Sequence, residues 1–421
     1  MLIEQEEFMH PYISSEFQAS TSFYSVRHFG AKGNGKVKDT EAIQQTITFC
    51  AKHGGGTVVF PPGIYLTGSI HLCSNLTLYI DSGATLLFSS DFGDYPPVRT
   101  RWEGVECYGF SPLVYGSELE NISVIGRGTL DGQGEVWWNE LKRRRKEGRT
   151  RPESEFEKQL AQLNPGYESS GSGGGGREMQ FLRPPLVQLI NCRNVLLEGL
   201  THQNSPFWNT HLVYCDDVVI QNVCFKNPAD ASNTDGLDID SCRNVRISNC
   251  FFDVGDDCLC LKSGMDEDGR RVGKPTENVT ISNCIMLHGH GGVVIGSEIA
   301  GSIRNVTISN CQFFGTDRGI RIKARRGRGG TVEDIRVNNI IMQRVLSPIV
   351  MNLFYRCGAS PDDAFLFEAN PQSVTEETPI LRNISLSNIT ARNVRAAAGF
   401  LHGLPEMPIR NVSLPMAYPS R

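Results

Sequence analysis

The sequence predicts an all-β fold, a single-stranded right-handed parallel β-helix closed at its N-terminal end by one amphipathic helix. Three observations point there. A seven-residue phrase recurs: NVLLEGL at 194, DVVIQNV at 217, NVRISNC at 244, NVTISNC at 278 and unchanged at 305, DIRVNNI at 334 and NISLSNI at 383. Its second position is Val195, Val218, Val245, Val279, Val306, Ile335 and Ile384, and its fourth is Leu197, Ile220, Ile247, Ile281, Ile308, Val337 and Leu386. Aliphatic residues at a period of two mark a strand with one buried face. The copies start 23, 27, 34, 27, 29 and 49 residues apart, and the spacers are too short and polar to supply a helix between each pair of strands. Coils stacked in register, each a right-handed crossover, bury the aliphatic rows.

Residues 1–24 read as an N-terminal extension and 25–421 as one solenoid domain. The opening MLIEQEEFMHPYISSEF carries acidic residues where a secretion signal needs a basic flank and has no unbroken apolar run, so the expected address is cytoplasmic, with no membrane segment. Residues 39–56, DTEAIQQTITFCAKHGGG, place Ala42, Ile43, Ile47 and Cys50 at helical spacing between a helix-starting Asp39 and a glycine stop, which suits a cap on the open end. Weaker copies of the repeat lie at 75 (NLTLYIDSGATLLF) and 121 (NISVIGRGTLDG). Residues 139–180 break the repeat with KRRRKEGRTR from 142 and SSGSGGGG from 169, and read as a partly mobile loop excursion.

In the phrase, Asn222, Asn249, Asn283, Asn310, Asn339 and Asn388 fall at the sixth position, where asparagine accepts a tight turn and can bond its stacked copies. Cys250, Cys284 and Cys311 align at the seventh, and Cys192, Cys215 and Cys242 two residues before the phrase, as small buried hydrophobes. Thirteen cysteines without a CxxC pair read as free thiols rather than a disulfide framework or zinc site. With 39% hydrophobic and 21% charged residues and a net charge of -5, the chain buries a core and shows no global nucleic-acid or membrane signal. A polyanionic partner would need a local basic patch.

Four clusters fall between strands of consecutive coils: Asn233-Thr234-Asp235-Gly236, Gly255-Asp256-Asp257, Gly289-His290-Gly291 and Arg321-Ile322-Lys323. Asp235 and Asp256 are 21 residues apart, about one coil, which puts their backbones on adjacent rungs about 5 Å apart. Gly255 allows the bend that brings Asp257 in beside them. Arg321 and Lys323, two apart on a strand, project from one face. Three close carboxylates favour keeping one protonated as a general acid, and an Arg-Lys pair is a receptor for a substrate carboxylate.

These NTD, GDD, GHG and RIK motifs, complete and in order, resemble the polygalacturonase family of glycoside hydrolases (family 28). VRHFGAKGNGKVKDTEAIQQTI, GGGTVVFPPGIYLTG, GRGTLDGQGEVWW, NSPFWNTH, GMDEDG and GSE extend the resemblance to the bacterial and plant-like branch over most of residues 25–355. The resemblance implies a pectin-lyase-like solenoid that hydrolyses α-1,4-galacturonosyl links with inversion and without a metal or other cofactor. It implies Asp256 as proton donor, Asp235 and Asp257 as activators of water, and His290 as the residue that tunes the acid. Substrate contacts are expected from Arg321 and Lys323, with Lys262, Asn233, His211 and Tyr355 as further candidates and Trp208 beside them. Asp238 and Asp240 alternate with Leu237 and Ile239 and are expected to face outward into solvent. The partner is a pectic oligosaccharide or polygalacturonate; the excursion at 139–180, walling one end of a cleft, favours exo action. Rival readings are a rhamnogalacturonan hydrolase, a calcium-dependent polysaccharide lyase and a non-catalytic carbohydrate-binding β-helix.

Overall fold

The computed structural model describes residues 22–169, 175–356 and 364–414. Of the expected extension, residues 1–21 lie outside the described residues, whereas Phe23–Ser25 already forms the first strand, parallel to Gly56–Phe60 with Phe23 opposite Thr57. The chain winds as a right-handed parallel β-helix whose strands form a 20-stranded and a 10-stranded parallel sheet, with one two-stranded antiparallel hairpin, Pro97–Trp102 and Val105–Phe110.

The repeat sets the register. Val195, Val218, Val245, Val279, Val306, Ile335 and Ile384 pair rung to rung. The weaker copies continue the row, Leu76 opposite Ile122 and Ile122 opposite Val195. These side chains are buried, so each coil contributes an aliphatic layer to one continuous core. Cys192, Cys215, Cys242, Cys250, Cys284 and Cys311 are buried in that stack, and all 12 described cysteines are free.

All six sixth-position asparagines adopt left-handed backbone angles, φ between 52° and 57°, as the turn requires. The better-connected amide ladder is at the first position. Asn121 donates to Asn75 (2.7 Å), Asn194 to Asn121 (2.9 Å), Asn278 to Asn244 (3.1 Å) and Asn305 to Asn278 (3.2 Å).

Helix Thr40–Lys52 buries Ile43, Thr46, Ile47 and Cys50 over the first coils. Asp39 does not cap it with its side chain; its carboxylate accepts instead from the backbone of Lys32 (2.6 Å) and Gly33 (2.9 Å). The excursion differs from expectation. It holds two helices, Glu135–Lys146 and Glu155–Leu163, and two 3-10 turns, Tyr167–Ser169 and Arg177–Met179. Trp137, Leu141 and Arg144 turn one face of the first helix inward, and Trp137 meets Phe92, Phe110 and Phe181 in an aromatic cluster. The basic run falls in that helix's last turn, where cations suit the helix dipole, and Glu140 pairs with Arg143 and Arg144. Ser154 and Glu157 form a capping box on the second. Of the glycine tract, residues 170–174 lie outside the described residues, while Gly175 and Gly176 are buried. Among the described residues no helix is long and apolar enough to cross a membrane.

Candidate active site

Four successive strands of the 10-stranded sheet, Leu237–Asp240, Asp257–Lys262, Gly291–Gly296 and Arg318–Lys323, stack rung on rung, with Asp257 opposite Gly291 and Gly291 opposite Arg318. The turns entering the first three deliver Asp235, Asp256 and His290 to the same edge. A cavity of about 300 Å³ gathers all six residues of the four motifs that carry charge, Asp235, Asp256, Asp257, His290, Arg321 and Lys323. Asn233, Lys262, Tyr355 and Trp208 also line it. Gly255 serves this arrangement by its size and not by an unusual backbone angle. A β-carbon there would stand 2.5 Å from the Pro228 carbonyl and 2.6 Å from that of Ala231.

The three carboxyl groups are close, with one oxygen from each lying within 4.8 Å of the others. Their environments differ. Asp257 is enclosed, and its oxygens meet Lys323 Nζ at 2.6 Å and Arg321 at 3.4 Å. Burial alone would raise its carboxyl, but the two cations overrule this and hold it well below the usual carboxylate range. Among the described residues no cation lies within ion-pair distance of Asp235; burial, then the charges of Asp256 and Asp238, push its carboxyl well above that range. Asp256 opens to the cavity and lies 3.1 Å from His290 Nδ1. That hydrogen bond raises the imidazole above its ordinary value, against the lowering effect of burial. Arg321 and Lys323 both face the Tyr355 ring, each 5.2 Å from its centroid. The acidic trio has the oxygens to take a cation, but Lys323 and Arg321 already supply positive charge at Asp257, which a bound metal would have to displace.

Several expected positions are corrected. His211 is 1% exposed and does not line the cavity. It lies on strand Thr210–Val213 between Gln188 (2.8 Å) and Asp240 (3.3 Å), a network out of reach of a sugar. Asp238 and Asp240 leave the barrel interior as alternation demands, yet both are fully buried, because further chain covers this face. The covering hairpin sends Arg101 down to Asp240 (3.0 Å) and Ser241 (2.8 Å). Burial by itself would raise the Asp240 carboxyl; Arg101 and His211 bring it below its ordinary value. Arg101→Met leaves that carboxylate enclosed without its cation, and should lower stability by about 3–5 kcal/mol, measured by urea unfolding. Lys262 lines the cavity but is 3% exposed, held by Glu298 (3.1 Å) and Asp238 (3.5 Å) over the Trp208 ring.

Glu298, Ser297, Asp317, Arg318 and Glu103 also line the cavity and were not singled out from the sequence. Glu298 belongs to the GSE tripeptide, which could have flagged it. Glu103 had no local signal: it arrives on the hairpin turn, and accepts a hydrogen bond from the Gly175 backbone (3.0 Å). Arg177 donates to the Trp102 carbonyl, and Trp102 stacks on Phe207 at 4.9 Å. Hairpin and excursion are thus locked together beside the cavity.

The description "Glycosyl hydrolases family 28" matches residues 171–398, and "Rhamnogalacturonase A/epimerase, pectate lyase-like" matches 23–95. A probable polygalacturonase of Vitis vinifera is 30% identical over 93% of this chain and 72% of its own length. An exo-poly-alpha-D-galacturonosidase of Dickeya chrysanthemi is 27% identical over 78% of this chain, which spans only 56% of that relative. The crystal structure of a hyperthermoactive exopolygalacturonase from Thermotoga maritima superposes with a TM-score of 0.78 at 32% identity, covering 93% of this chain and 85% of that one. With the acidic trio, the histidine and the cation pair on adjacent coils and the family match running through all of them, this chain belongs to glycosyl hydrolases family 28.

Proposed function

We propose that the enzyme hydrolyses α-1,4-galacturonosyl links of oligogalacturonides, removing residues from a chain end with inversion at the anomeric carbon. The observation that carries this reading is the Arg321–Lys323 pair, two rungs from the Asp257 strand and in the same cavity as the acidic trio: a cation pair beside a glycosidic acid suits a sugar that carries its own carboxylate. Tyr355 lines the same cavity beside both cations, where an aromatic ring can pack against a sugar. The names of the Vitis, Dickeya and Thermotoga relatives support the same substrate class.

In this mechanism Asp256, paired with His290, gives its proton to the glycosidic oxygen as the bond from that oxygen to the anomeric carbon breaks. Asp257, kept ionised by Lys323 and Arg321, takes a proton from water, whose oxygen forms the new bond to that carbon, while Asp235 orients the water. Exo action is supported by the locked hairpin and excursion, which put Glu103 at the cavity edge, and by the exo-acting names of two relatives. Inversion rests on the family resemblance. The carboxyl oxygens lie closer than the roughly 6.5–9.5 Å usual for inverting pairs, so stereochemistry is a direct test.

Trigalacturonide followed by proton NMR with chromatography checks all three parts. Galacturonate released first as the β-anomer, with digalacturonide, is the expected result. An α-anomer would make Asp235 or Asp257 a nucleophile, and early internal products from longer chains would mean endo action. Cleavage of a rhamnogalacturonan oligomer in place of trigalacturonide would favour the second reading, to which the match at residues 23–95 points.

A further inference from the structure

Asp257 and Asp235 share a neighbour that the reaction above does not use. Cys260 stands three residues after Asp257 on strand Asp257–Lys262 and is fully buried. Strict alternation would turn these two side chains to opposite faces. Cys258 and Leu259 both enter the apolar core, so the alternation slips by one residue and Asp257 emerges on the outer face with Cys260. The sulfur then lies 3.6 Å from an oxygen of Asp257 and 3.6 Å from an oxygen of Asp235. Among the described residues it has no other hydrogen-bond acceptor.

A thiol carries one hydrogen, so the two acceptors compete for it. Burial holds the Cys260 thiol well above the usual thiol range, despite Lys262 nearby, and the hydrogen stays on sulfur. It goes to the acceptor that is ionised, because a hydrogen bond to a charged group is about twice as strong as one to a neutral group. Asp257 is that acceptor. Lys323 and Arg321 overrule burial there, whereas burial and the charges of Asp256 and Asp238 push Asp235 toward its protonated form. The contact is also selective between the two oxygens of Asp257. Oδ2 receives both the thiol and Lys323, the latter at 2.6 Å, while Oδ1 has only Arg321 at 3.4 Å. Gly291, on the next rung, leaves room at Oδ1, where a β-carbon would stand 3.1 Å away.

We infer that Cys260 is a positioning residue: its S–H donates to Asp257 Oδ2 and, together with Lys323, fixes the rotation of that carboxylate so that Oδ1 is presented to the attacking water. The thiol itself touches neither substrate nor water and exchanges no proton. That Asp257 is the base rests on the proposed hydrolytic mechanism; the direction of the thiol's hydrogen bond does not.

Kinetics and infrared spectra of the intact enzyme at pH 7 test this together. On trigalacturonide Cys260→Ala should lose about tenfold in kcat with KM little changed, as expected for one hydrogen bond to a charged group. Cys260→Ser, a better donor on a shorter bond, should recover part of that loss. A residue that merely fills space predicts the reverse order, since a buried hydroxyl packs worse than a methyl group. The S–H stretch lies in a region of the infrared spectrum clear of other protein bands, and the difference between wild type and Cys260→Ala isolates that of Cys260. Its band should sit at the low frequency of a thiol donating to an anion, rise in Asp257→Asn and stay in place in Asp235→Asn. An alanine variant with wild-type kcat, a serine variant no faster than alanine, or a band that moves in Asp235→Asn and not in Asp257→Asn would overturn the assignment. A wild type that leaves galacturonides uncut would sink the substrate reading instead, while the S–H band still decides where the thiol donates.

Discussion

Asp256→Asn should fold as the parent does and lose about 10³-fold in kcat on trigalacturonide, with KM little changed. The amide keeps the size of the side chain and can still face His290 Nδ1, 3.1 Å away in the native site, but it has no acidic proton for the departing oxygen. Asp256 is partly open to the cavity, so the substitution strands no buried charge, and circular dichroism and the unfolding midpoint should match the wild type. The neighbouring histidine gives the reaction its alkaline limit. Its value is raised, so the His290–Asp256 unit retains its proton below that raised value and loses it as the pH climbs through it. The kcat profile of the wild type should therefore fall on the alkaline side above the ordinary histidine value of about 6.5. His290→Gln should lose that alkaline fall, because the imidazole that sets it is gone.

Lys323→Met should cost both stability and activity. Its ammonium is 2.6 Å from Asp257, and both side chains are nearly inaccessible. Without it Asp257 is left to Arg321 at 3.4 Å, and burial, now less opposed, drives the carboxyl upward. Losing one partner of an enclosed pair costs about 3–5 kcal/mol, and the surviving Arg321 places this case near 3, read from urea unfolding at pH 7. The substrate carboxylate loses half of its receptor at the same time. A fall in kcat/KM of about 10²-fold or more, carried mainly by KM, is expected on trigalacturonide. A variant as stable as the parent would show that the Asp257–Lys323 contact contributes little.

The pairing of these two residues shows how the site could be read in advance and where that reading stopped. Alternation along Arg321-Ile322-Lys323 put both cations on one face, and the one-coil spacing of Asp235 and Asp256 put them on neighbouring rungs; both follow from strand geometry and hold. That the cations rest against Asp257 and not in open solvent was not visible, because it depends on side-chain reach across two rungs. Asp238 and Asp240 make the same point more strongly. The sequence assigns them to the outer face of the sheet, and outer face ordinarily means water. A hairpin more than 130 residues earlier in the chain lays Arg101 over them and turns a solvated face into a buried network. The helices at Glu135–Lys146 and Glu155–Leu163 carried local signals, Trp137 and Leu141 four apart and the Ser154–Glu157 box, which the basic run and glycine tract obscured.

What the sequence determined by itself was the solenoid, its register and the meeting of three aspartates, a histidine and a cation pair, since a strand's period of two and a coil's constant rise are local rules repeated along the chain. What only the tertiary structure decided was which of those charges are enclosed, which cation answers which acid, and that the hairpin and excursion meet beside the cavity. Burial and charge pairing are set by segments far apart in sequence, and no period in the chain encodes their contact.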